Sequence, residues 1–552
     1  MPTSMERYAP RVRNHRFEAD PADNPTRTEL HFDDRVFRCF TRRAPRFDAL
    51  LRQAAQGAPQ APALVFADST LDYASFDFWA DRIATGLAAA GIGQGERVAV
   101  FCDNGLPFFL TVMGIVRRGA IAVPIGARQR GPELTHILGQ CEAVALLHDE
   151  ALADRLPDLA ECPALRHVWA VSGGGDLGNL PALFPPAGPF EAPGDEDEIA
   201  LLFYTSGTTG KPKGAAIAHV NLTNSARHYA YGIDLQPGQR GLLAIPASHI
   251  SGFFAVFVNM LQSQSATVIL RGADTAAILA ALKAQAISFT VFVPAIYTRL
   301  LMEPGFAPDG LSHWRTGIFG GGIMPPSTVL HLAERLPGLR LINAYGATET
   351  TSPVSIMPAD SSAGRPDSVG LAVQCAELLV MDDQGREVAP GTAGELWVRG
   401  PMVIPGYWNA AGQTAEAFKD GYWKTGDIVT IDSEGFLFIH DRKKDLINRG
   451  GYKVFSAEIE NVCQSLPGVS ESAAVAVADP VLGERICLYL YAPTDTLDEG
   501  TIRRALADRL ADYKQPDFVV IRAEPLPRNA NGKLLKLALK GDAERFSGVR
   551  PR

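Results

Sequence analysis

The stretch YTSGTTGKPKG, from Tyr204 to Gly214, is the most informative part of this 552-residue chain. It places three glycines, four Ser or Thr hydroxyls and two lysines in one short loop. The apolar run Ile199–Phe203 precedes the loop and predicts a buried strand. Glycine lets the backbone approach a ligand closely, while hydroxyl and ammonium groups add hydrogen-bond donors and positive charge. This combination favours a polyphosphate ligand.

The loop differs from a P-loop of the Gly-x4-Gly-Lys-Ser/Thr type. Pro212 stands where that motif needs Ser or Thr, and Thr205 stands where it needs the first glycine. In P-loop enzymes a helix follows directly after the loop. Pro212 prevents such a helix here. Taken alone, the stretch has one further interpretation, an ordinary surface turn rich in Gly, Ser and Thr.

Length and composition exclude several classes of protein. A chain of 552 residues is too long for one core, so two or more domains are expected. The net charge of −9 gives no basic footprint for nucleic acid. No apolar run is long enough to suggest a membrane span, and the N-terminus has no apolar signal segment. The seven cysteines include no CxxC pair, which favours reduced thiols in a cytoplasmic protein over a zinc site.

The pattern of apolar residues predicts an α/β fold. In the first half, helical and strand-like segments alternate, which is typical of parallel sheets covered by helices. Residues 365–440 contain short strands separated by turns and predict a β-rich subdomain. The rest of the chain has an α+β pattern. We expect an N-terminal extension at 1–45, a large domain at 46–441 and a small mobile domain at 442–552.

A second motif, NAYGATET, covers Asn343–Thr350 and follows an apolar run. A strand end followed by a glycine turn lies at the edge of a sheet where α/β proteins bind ligands. A flat ring suits a base, a hydroxyl suits a phosphate, and a carboxylate suits magnesium. Alone, however, Tyr345 is typical of a core residue and Glu349 of a solvated one.

Seven such motifs occur in order between residues 204 and 533, and together they resemble the adenylate-forming superfamily. That superfamily includes acyl-CoA synthetases, adenylation domains of peptide synthetases and beetle luciferases. The resemblance implies that the loop binds the β and γ phosphates of ATP. It further implies that Tyr345 stacks on adenine, that Thr348 contacts the α phosphate and that Glu349 binds Mg²⁺. The implied nucleotide-binding set from these two motifs is Thr205, Ser206, Gly207, Thr208, Thr209, Gly210, Lys213, Asn343, Ala344, Tyr345, Gly346 and Thr348.

The remaining motifs extend this resemblance along the chain. Asp427, in YWKTGD, would bind the ribose hydroxyls together with Arg442. Lys444 would be the hinge between the two domains. Lys533, in PRNANGK, would reach the carboxylate and α phosphate during adenylation, with Thr205 and Glu349 as its catalytic partners. Glycine segments would lie against the adenine and acyl group (Gly320, Gly321, Gly322) and border the tunnel for the pantetheine arm of coenzyme A (Gly450, Gly451).

The stretch PASHISGF at 246–253 resembles the segment that lines the acid pocket in this superfamily. His249 occupies the position of a gate near the substrate carboxylate. No Asp is present here to hold an amino group, which disfavours an amino acid substrate. The predicted pocket residues are His249, Ser251, Gly252, Phe253, Ala255, Gly320, Gly321 and Gly346.

These implications predict an acyl-CoA synthetase that uses ATP, Mg²⁺ and coenzyme A. We expect an apolar monocarboxylic acid, either aryl or medium-chain fatty, as the substrate, and a monomer or homodimer. Two alternatives stay open at this point. The acyl group could pass to the thiol of a carrier protein, or the chain could be a non-catalytic nucleotide-binding regulatory protein.

Overall fold

The computed structural model describes residues 24–205, 212–233, 235–322, 324–358, 361–493, 497–528 and 534–548. It has the α/β fold that the sequence predicts, with a large domain of helix-covered sheets and a small α+β domain. In these ranges, no helix combines the length and the apolar character that a membrane-spanning segment needs.

One sheet of the large domain carries the predicted phosphate loop. Its central strands are parallel, and the strand after the loop turns back antiparallel to the strand before it. Across the sheet, the 7 strands are Gly406–Tyr407, Lys213–Ala218, Ile199–Thr205, Ile121–Pro124, Arg97–Phe101, Ala145–Asp149 and His167–Val171.

The other large sheet has 14 strands and two parts. Six neighbouring strands are parallel, and the sheet continues as an antiparallel region over residues 352–442, which contains the β-rich segment predicted from the sequence. The strands run in the order Glu377–Met381, Gly394–Arg399, Tyr422–Ile431, Leu437–Arg442, Ser368–Ala372, Ser352–Ile356, Arg340–Ala347, Thr316–Phe319, Phe289–Phe292, Arg240–Leu243, Ala266–Ile269, Pro62–Phe66 and Ser69–Asp72, with Phe418–Lys419 beside Tyr422–Ile431.

Helices cover both sheets. Leu106–Arg117 is buried along its whole length, which explains why its sequence is apolar on every face. Asp72 and Asp274 each cap a helix by accepting a backbone N–H three residues later, at 2.8 Å. The other helices of the large domain are Phe47–Gly57, Tyr73–Ala89, Gly131–Gln140, Leu180–Leu183, His219–Gly232, Thr275–Ala284, Pro294–Met302, Pro326–Arg335 and Ala411–Ala417. One more helical stretch runs over Ile250–Gly252, a π-helical turn at Phe253–Val258, and Asn259–Gln262.

The small domain has its own sheet and apolar clusters. Its strands are Ile447–Arg449, Tyr452–Val454, Glu471–Asp479, Gly483–Tyr491 and Phe518–Arg522, and its helices are Ser456–Gln464, Glu499–Ala507 and Lys536–Ala543. The last strand of the large domain ends at Arg442, so the predicted hinge residue Lys444 lies in the turn between the two sheets.

The predicted N-terminal extension contains ordered strands from residue 24 onward. Thr26–His31 and Arg35–Phe40 form a β-hairpin that belongs to the large domain. Apolar side chains of the second strand pack against the start of the helix at His219–Gly232. Asp197 accepts the Phe32 N–H at 2.8 Å and contacts His31. The sequence pattern missed this packing because the partners are more than 160 residues away.

Candidate active site

The two ends of the phosphate loop are fixed by strand pairing. Thr205 and Lys213 are direct partners in the antiparallel pair, so both side chains lie at the point where the loop leaves the sheet. His136 contacts the Pro212 carbonyl through Nε2 at 3.0 Å and supports the second end. The remaining loop residues assigned to ATP, namely Ser206, Gly207, Thr208, Thr209 and Gly210, lie outside the described residues.

Glu349 lies next to this loop and is held by Tyr407. The Tyr407 hydroxyl donates a hydrogen bond to Glu349 Oε1 at 2.8 Å, and Ile404 N–H donates to the Glu349 carbonyl at 3.0 Å. Lys213 Nζ lies 5.1 Å from the centre of the Tyr407 ring. Burial and the neighbouring Glu349 carboxylate raise the pKa of Tyr407 well above its ordinary value, so its hydroxyl remains a donor at neutral pH. A carboxylate and an ammonium group therefore both lie against Tyr407, beside the second end of the phosphate loop.

A second cluster forms around Asp427, which lies on the strand Tyr422–Ile431 and contacts Tyr345, four positions before Glu349. Its Oδ2 accepts a hydrogen bond from the Tyr345 hydroxyl and its Oδ1 contacts Arg442 Nε, both at 2.6 Å. Asp427 and Arg442 are direct partners on adjacent antiparallel strands, which explains this geometry. The carboxylate is buried, and a carboxylate is an acceptor group suited to the two hydroxyls of a ribose. Its assignment to the ribose remains a prediction.

The electrostatics link the two clusters. Burial alone would lower the pKa of Arg442, but the nearby Asp427 and Glu349 carboxylates raise it above its ordinary value. Burial and the Asp427 charge raise the pKa of Tyr345. At neutral pH the site thus holds a permanent guanidinium charge between two carboxylates, at the edge of the sheet.

The other residues of the NAYGATET motif shape this strand end. Asn343 donates through its amide to the Ser368 carbonyl at 3.0 Å, and the half-buried Thr348 begins a single 3₁₀ turn that carries Glu349. A Cβ on Gly346 would lie 2.3 Å from the Ser352 carbonyl oxygen. A Cβ on Gly320 would lie 2.3 Å from the Ala344 carbonyl oxygen. These two glycines are therefore required by backbone packing as well as by any ligand.

Gly321 and Gly322 differ from Gly320. Gly321 has a positive φ of 75°, and a Cβ on either glycine would meet nothing closer than 3.9 Å. This open space is consistent with the predicted approach of adenine and the acyl group to these two glycines. That approach remains a prediction.

The predicted acid-pocket segment divides into two groups. His249 and Ser251 are partly exposed at the start of the helical stretch. A Cβ on Gly252 would lie 2.3 Å from the Pro246 carbonyl oxygen, so packing requires this glycine too. Phe253 and Ala255 are buried, and the Phe253 ring packs against four other rings, those of Phe47, Phe108, Phe203 and Phe257. These contacts give Phe253 a role in the core, and its assignment to the pocket stays a prediction.

The small domain presents the hinge and a glycine turn. Lys444 is exposed, and its carbonyl accepts a hydrogen bond from Lys540 Nζ at 2.9 Å. Gly450 and Gly451 have φ values of 59° and 89° and connect two paired strands. A two-residue hairpin of this type needs positive φ, which explains both glycines without coenzyme A. Lys533 lies outside the described residues.

Sequence reasoning missed Tyr407. It lies in a two-residue strand beside Ala215, and 58 positions separate it from Glu349. The only local signal is the short stretch PGYW at 405–408, which reads as an ordinary turn.

Comparison with known proteins identifies the family. The model described as AMP-binding enzyme matches residues 51–408, and the model described as AMP-binding enzyme C-terminal domain matches residues 458–533. The chain belongs to the AMP-binding enzyme family. The predicted relationship to adenylate-forming enzymes is therefore confirmed, and the family is one of AMP-forming acid–CoA ligases.

The relatives of this AMP-binding enzyme differ in the acids that their names specify. It is 33% identical over 493 residues to a feruloyl-CoA synthase from Amycolatopsis sp, covering 87% of this chain and 96% of that one. It is 30% identical over 508 residues to the long-chain-fatty-acid–CoA ligase FadD13 of Mycobacterium tuberculosis, covering 91% of this chain and 99% of that one. A Bacillus subtilis o-succinylbenzoate coenzyme A synthetase, solved with ATP and magnesium ion, matches with a TM-score of 0.79 at 28% identity, covering 91% of this chain and 100% of that one.

Proposed function

We propose that this protein is an ATP-dependent acid–thiol ligase that activates an apolar carboxylic acid and transfers it to coenzyme A. The observation that carries the proposal is the pair of clusters at one strand end. The Asp427 carboxylate, held by Tyr345 and Arg442, would accept hydrogen bonds from a ribose, and Glu349 with Tyr407 stands beside the phosphate loop. Tyr345 and Glu349 are only four positions apart, so one nucleotide could contact both clusters.

In the first half-reaction, an oxygen of the substrate carboxylate attacks the α phosphorus of ATP. The bond from this phosphorus to the bridging oxygen breaks, and the electron pair leaves with pyrophosphate. Thr205 and Lys213, at the loop ends, would hold the departing phosphates, and Thr348 would donate to the α phosphate. Lys533 would bring a positive charge to the two anions that must meet.

The residues present fit a magnesium ion at Glu349. Its carboxylate is a hard oxygen ligand, and Tyr407 fixes the orientation of one of its oxygens. When bound, Mg²⁺ would neutralise phosphate charge at this position. Tyr407, which stays protonated, would limit the rotation of the carboxylate.

In the second half-reaction, the thiolate of coenzyme A attacks the acyl carbonyl and AMP leaves. We infer that the small domain turns about Lys444 between the two steps. The rotation would withdraw Lys533 and bring the Gly450–Gly451 turn toward the site. The exposed Lys444 and the separate core of the small domain are consistent with such a movement.

The acid is proposed only as a class, apolar and either aryl or medium-chain fatty. The relatives named above include one for feruloyl and one for long-chain fatty acids. His249 and Ser251, at the partly exposed start of the helical stretch, are the proposed pocket residues nearest to the substrate carboxylate. The π-helical turn that follows is a feature that often accompanies functional sites.

The test is an assay of pyrophosphate release with a panel of acids. We expect release that depends on ATP, Mg²⁺ and one class of acid, and multiple turnovers only with coenzyme A. A single turnover that coenzyme A does not discharge would instead favour a carrier-protein acceptor. ATP binding without release, for every acid and acceptor, would favour the non-catalytic alternative.

A further inference from the structure

The N-terminal hairpin reaches the predicted metal site through Arg35. Arg35 Nη1 donates to the Ile404 carbonyl at 2.9 Å, and Nη2 donates to the Pro405 carbonyl at 2.6 Å. Its side chain is 17% exposed, and its guanidinium lies 5.8 Å from the Phe32 ring centre and 5.9 Å from that of Phe418. Within the described part of the chain, its one ion pair is with Asp34, which is 3.9 Å away and 80% exposed. The two backbone carbonyls are therefore the main partners of this charge.

These carbonyls belong to the short segment that holds Glu349. Ile404 N–H donates to the Glu349 carbonyl, and two residues after Pro405 the Tyr407 hydroxyl donates to the Glu349 carboxylate. The next residue, Trp408, donates its N–H to the Gly214 carbonyl at 2.8 Å, just after the phosphate loop. The segment 404–408 thus connects the main chain and side chain of Glu349 to the loop.

The hairpin is itself fixed to the other side of the loop. Arg43 Nη2 contacts Glu196 at 2.8 Å, and His31 Nδ1 contacts Asp197 at 2.6 Å. Both acidic residues come just before the strand Ile199–Thr205, which leads into the loop. The hairpin therefore spans from the segment before the loop to the segment that supports Glu349.

We propose that Arg35 is a positioning residue for the magnesium–phosphate site and acts through residues 404–407 on Glu349. The inference rests on the proposed function, since it assigns Mg²⁺ to Glu349. Arg35 lies ahead of residues 51–408, which match the family model, so the family match does not assign it this role. The planar guanidinium is suited to this task because its fixed fork reaches two successive carbonyls at once.

The first readout is binding, measured by calorimetry of ATP with and without Mg²⁺. We expect Arg35→Ala to weaken the binding of ATP in the presence of Mg²⁺ by about tenfold, the equivalent of one hydrogen bond to a charged group. Binding without Mg²⁺ should change little. Arg38→Ala is the matched control, because Arg38 is on the same hairpin and, among the residues that the structure describes, its side chain bonds Thr26 Oγ1. Equal effects of the two variants would overturn the proposal.

The second readout separates positioning from general destabilisation. Tyr407→Phe removes the hydroxyl that holds Glu349, so it should cause the same loss as Arg35→Ala, and the double variant should lose little more. Additive losses in this cycle would contradict the proposed route. Hydrogen exchange at the amides of Ile404 and Trp408 should also rise in Arg35→Ala and not in Arg38→Ala.

Measurements on the wild-type protein separate failure of the proposed function from failure of the role assigned to Arg35. If wild type shows no Mg²⁺-dependent ATP binding and releases no pyrophosphate, the proposed function fails. If wild type does both and Arg35→Ala behaves like wild type, only the role of Arg35 fails. Should Arg35→Ala not fold, Arg35→Met keeps the aliphatic stem between the two rings, removes both donors, and decides by the same criterion.

Discussion

Replacing Asp427 by Asn tests how the site recognises the ribose of ATP. Asp427 is 3% exposed, accepts a hydrogen bond from the Tyr345 hydroxyl at 2.6 Å and forms an ion pair with Arg442 Nε at 2.6 Å. The substitution keeps the shape of the side chain and removes its charge. It also turns one of the two acceptor positions into an N–H donor, which then faces an existing donor.

The expected magnitude follows from these contacts. A hydrogen bond to a charged group contributes roughly 1.5–3 kcal/mol, and the ribose diol would make two such bonds. Because Asn still accepts one bond, we expect a net loss of about 3 kcal/mol, or about a hundredfold in affinity for ATP. The contacts with the ribose do not change during the reaction, so KM for ATP should rise while kcat changes little. Arg442 is 44% exposed and can be rehydrated, so the folded state should lose only about 1 kcal/mol.

The assay compares ATP with 2′-deoxy-ATP in pyrophosphate release. Wild type should discriminate against the deoxy nucleotide by about tenfold, and Asp427→Asn by no more than about threefold. Asp432→Asn is a matched control, because Asp432 is at the far end of the same strand pair and bonds Arg365. It should leave the discrimination at the wild-type value. If Asp427→Asn discriminates between the two nucleotides as well as wild type does, the assignment of Asp427 to the ribose is refuted.

The remaining predictions concern the metal site, acid stability and the catalytic lysine. Tyr407→Phe should raise the Mg²⁺ concentration for half-maximal activity about tenfold, because Glu349 loses one restraint, and an unchanged value would contradict the predicted role. Burial alone would raise the pKa of Glu29, but hydrogen bonds led by Arg43 lower it to about 2 from 4.5, so its stabilising effect is present above pH 4.5 and is lost as pH falls toward 2. The gap in thermal midpoint between wild type and Glu29→Gln should therefore be widest near pH 6, corresponding to at most about 3 kcal/mol, should narrow as the pH falls below 4.5, and should close only near pH 2; a constant gap would refute this account. Lys533→Ala should slow adenylation at least about a hundredfold while acyl transfer from a supplied adenylate continues, and equal loss in both steps would contradict the domain rotation.

Much of the fold could be predicted from local patterns. The alternation of apolar segments predicts a helix at 73–90 and a strand at 97–102, and the structure has Tyr73–Ala89 and Arg97–Phe101. The same pattern predicts a helix at 499–511, which ends at Ala507 in the structure, where residues 507–509 are exposed. Such patterns report which face of a segment is buried, so they are most reliable where burial is regular.

The site was only partly predictable, because several of its contacts are long-range. The sequence motifs pointed to Glu349 and Asp427, because a carboxylate can bind a metal ion or accept hydrogen bonds from hydroxyl groups. Tyr407 reaches Glu349 across 58 positions, and Arg35 reaches Ile404 across 369, and no local pattern encodes such pairs. They depend on which strands become neighbours in the sheet.

Glycines were ambiguous for another physical reason. Closeness to a ligand and closeness to another part of the backbone both require the absence of a side chain. Gly252, Gly320 and Gly346 each face a carbonyl oxygen at 2.3 Å from the position of a Cβ. Sequence alone assigned them to the acid pocket, whereas the structure gives packing as a sufficient cause.

The central claim, that this AMP-binding enzyme joins an apolar acid to coenzyme A, is tested most directly by one assay. Pyrophosphate release is measured with ATP, Mg²⁺ and a panel of aryl and short- to long-chain fatty acids, with and without coenzyme A, and the products are identified by mass spectrometry. The account predicts multiple turnovers only when coenzyme A is present, with an acyl-CoA as the product of one class of acid. An acyl adenylate that coenzyme A does not discharge, or no pyrophosphate with any acid, would contradict it.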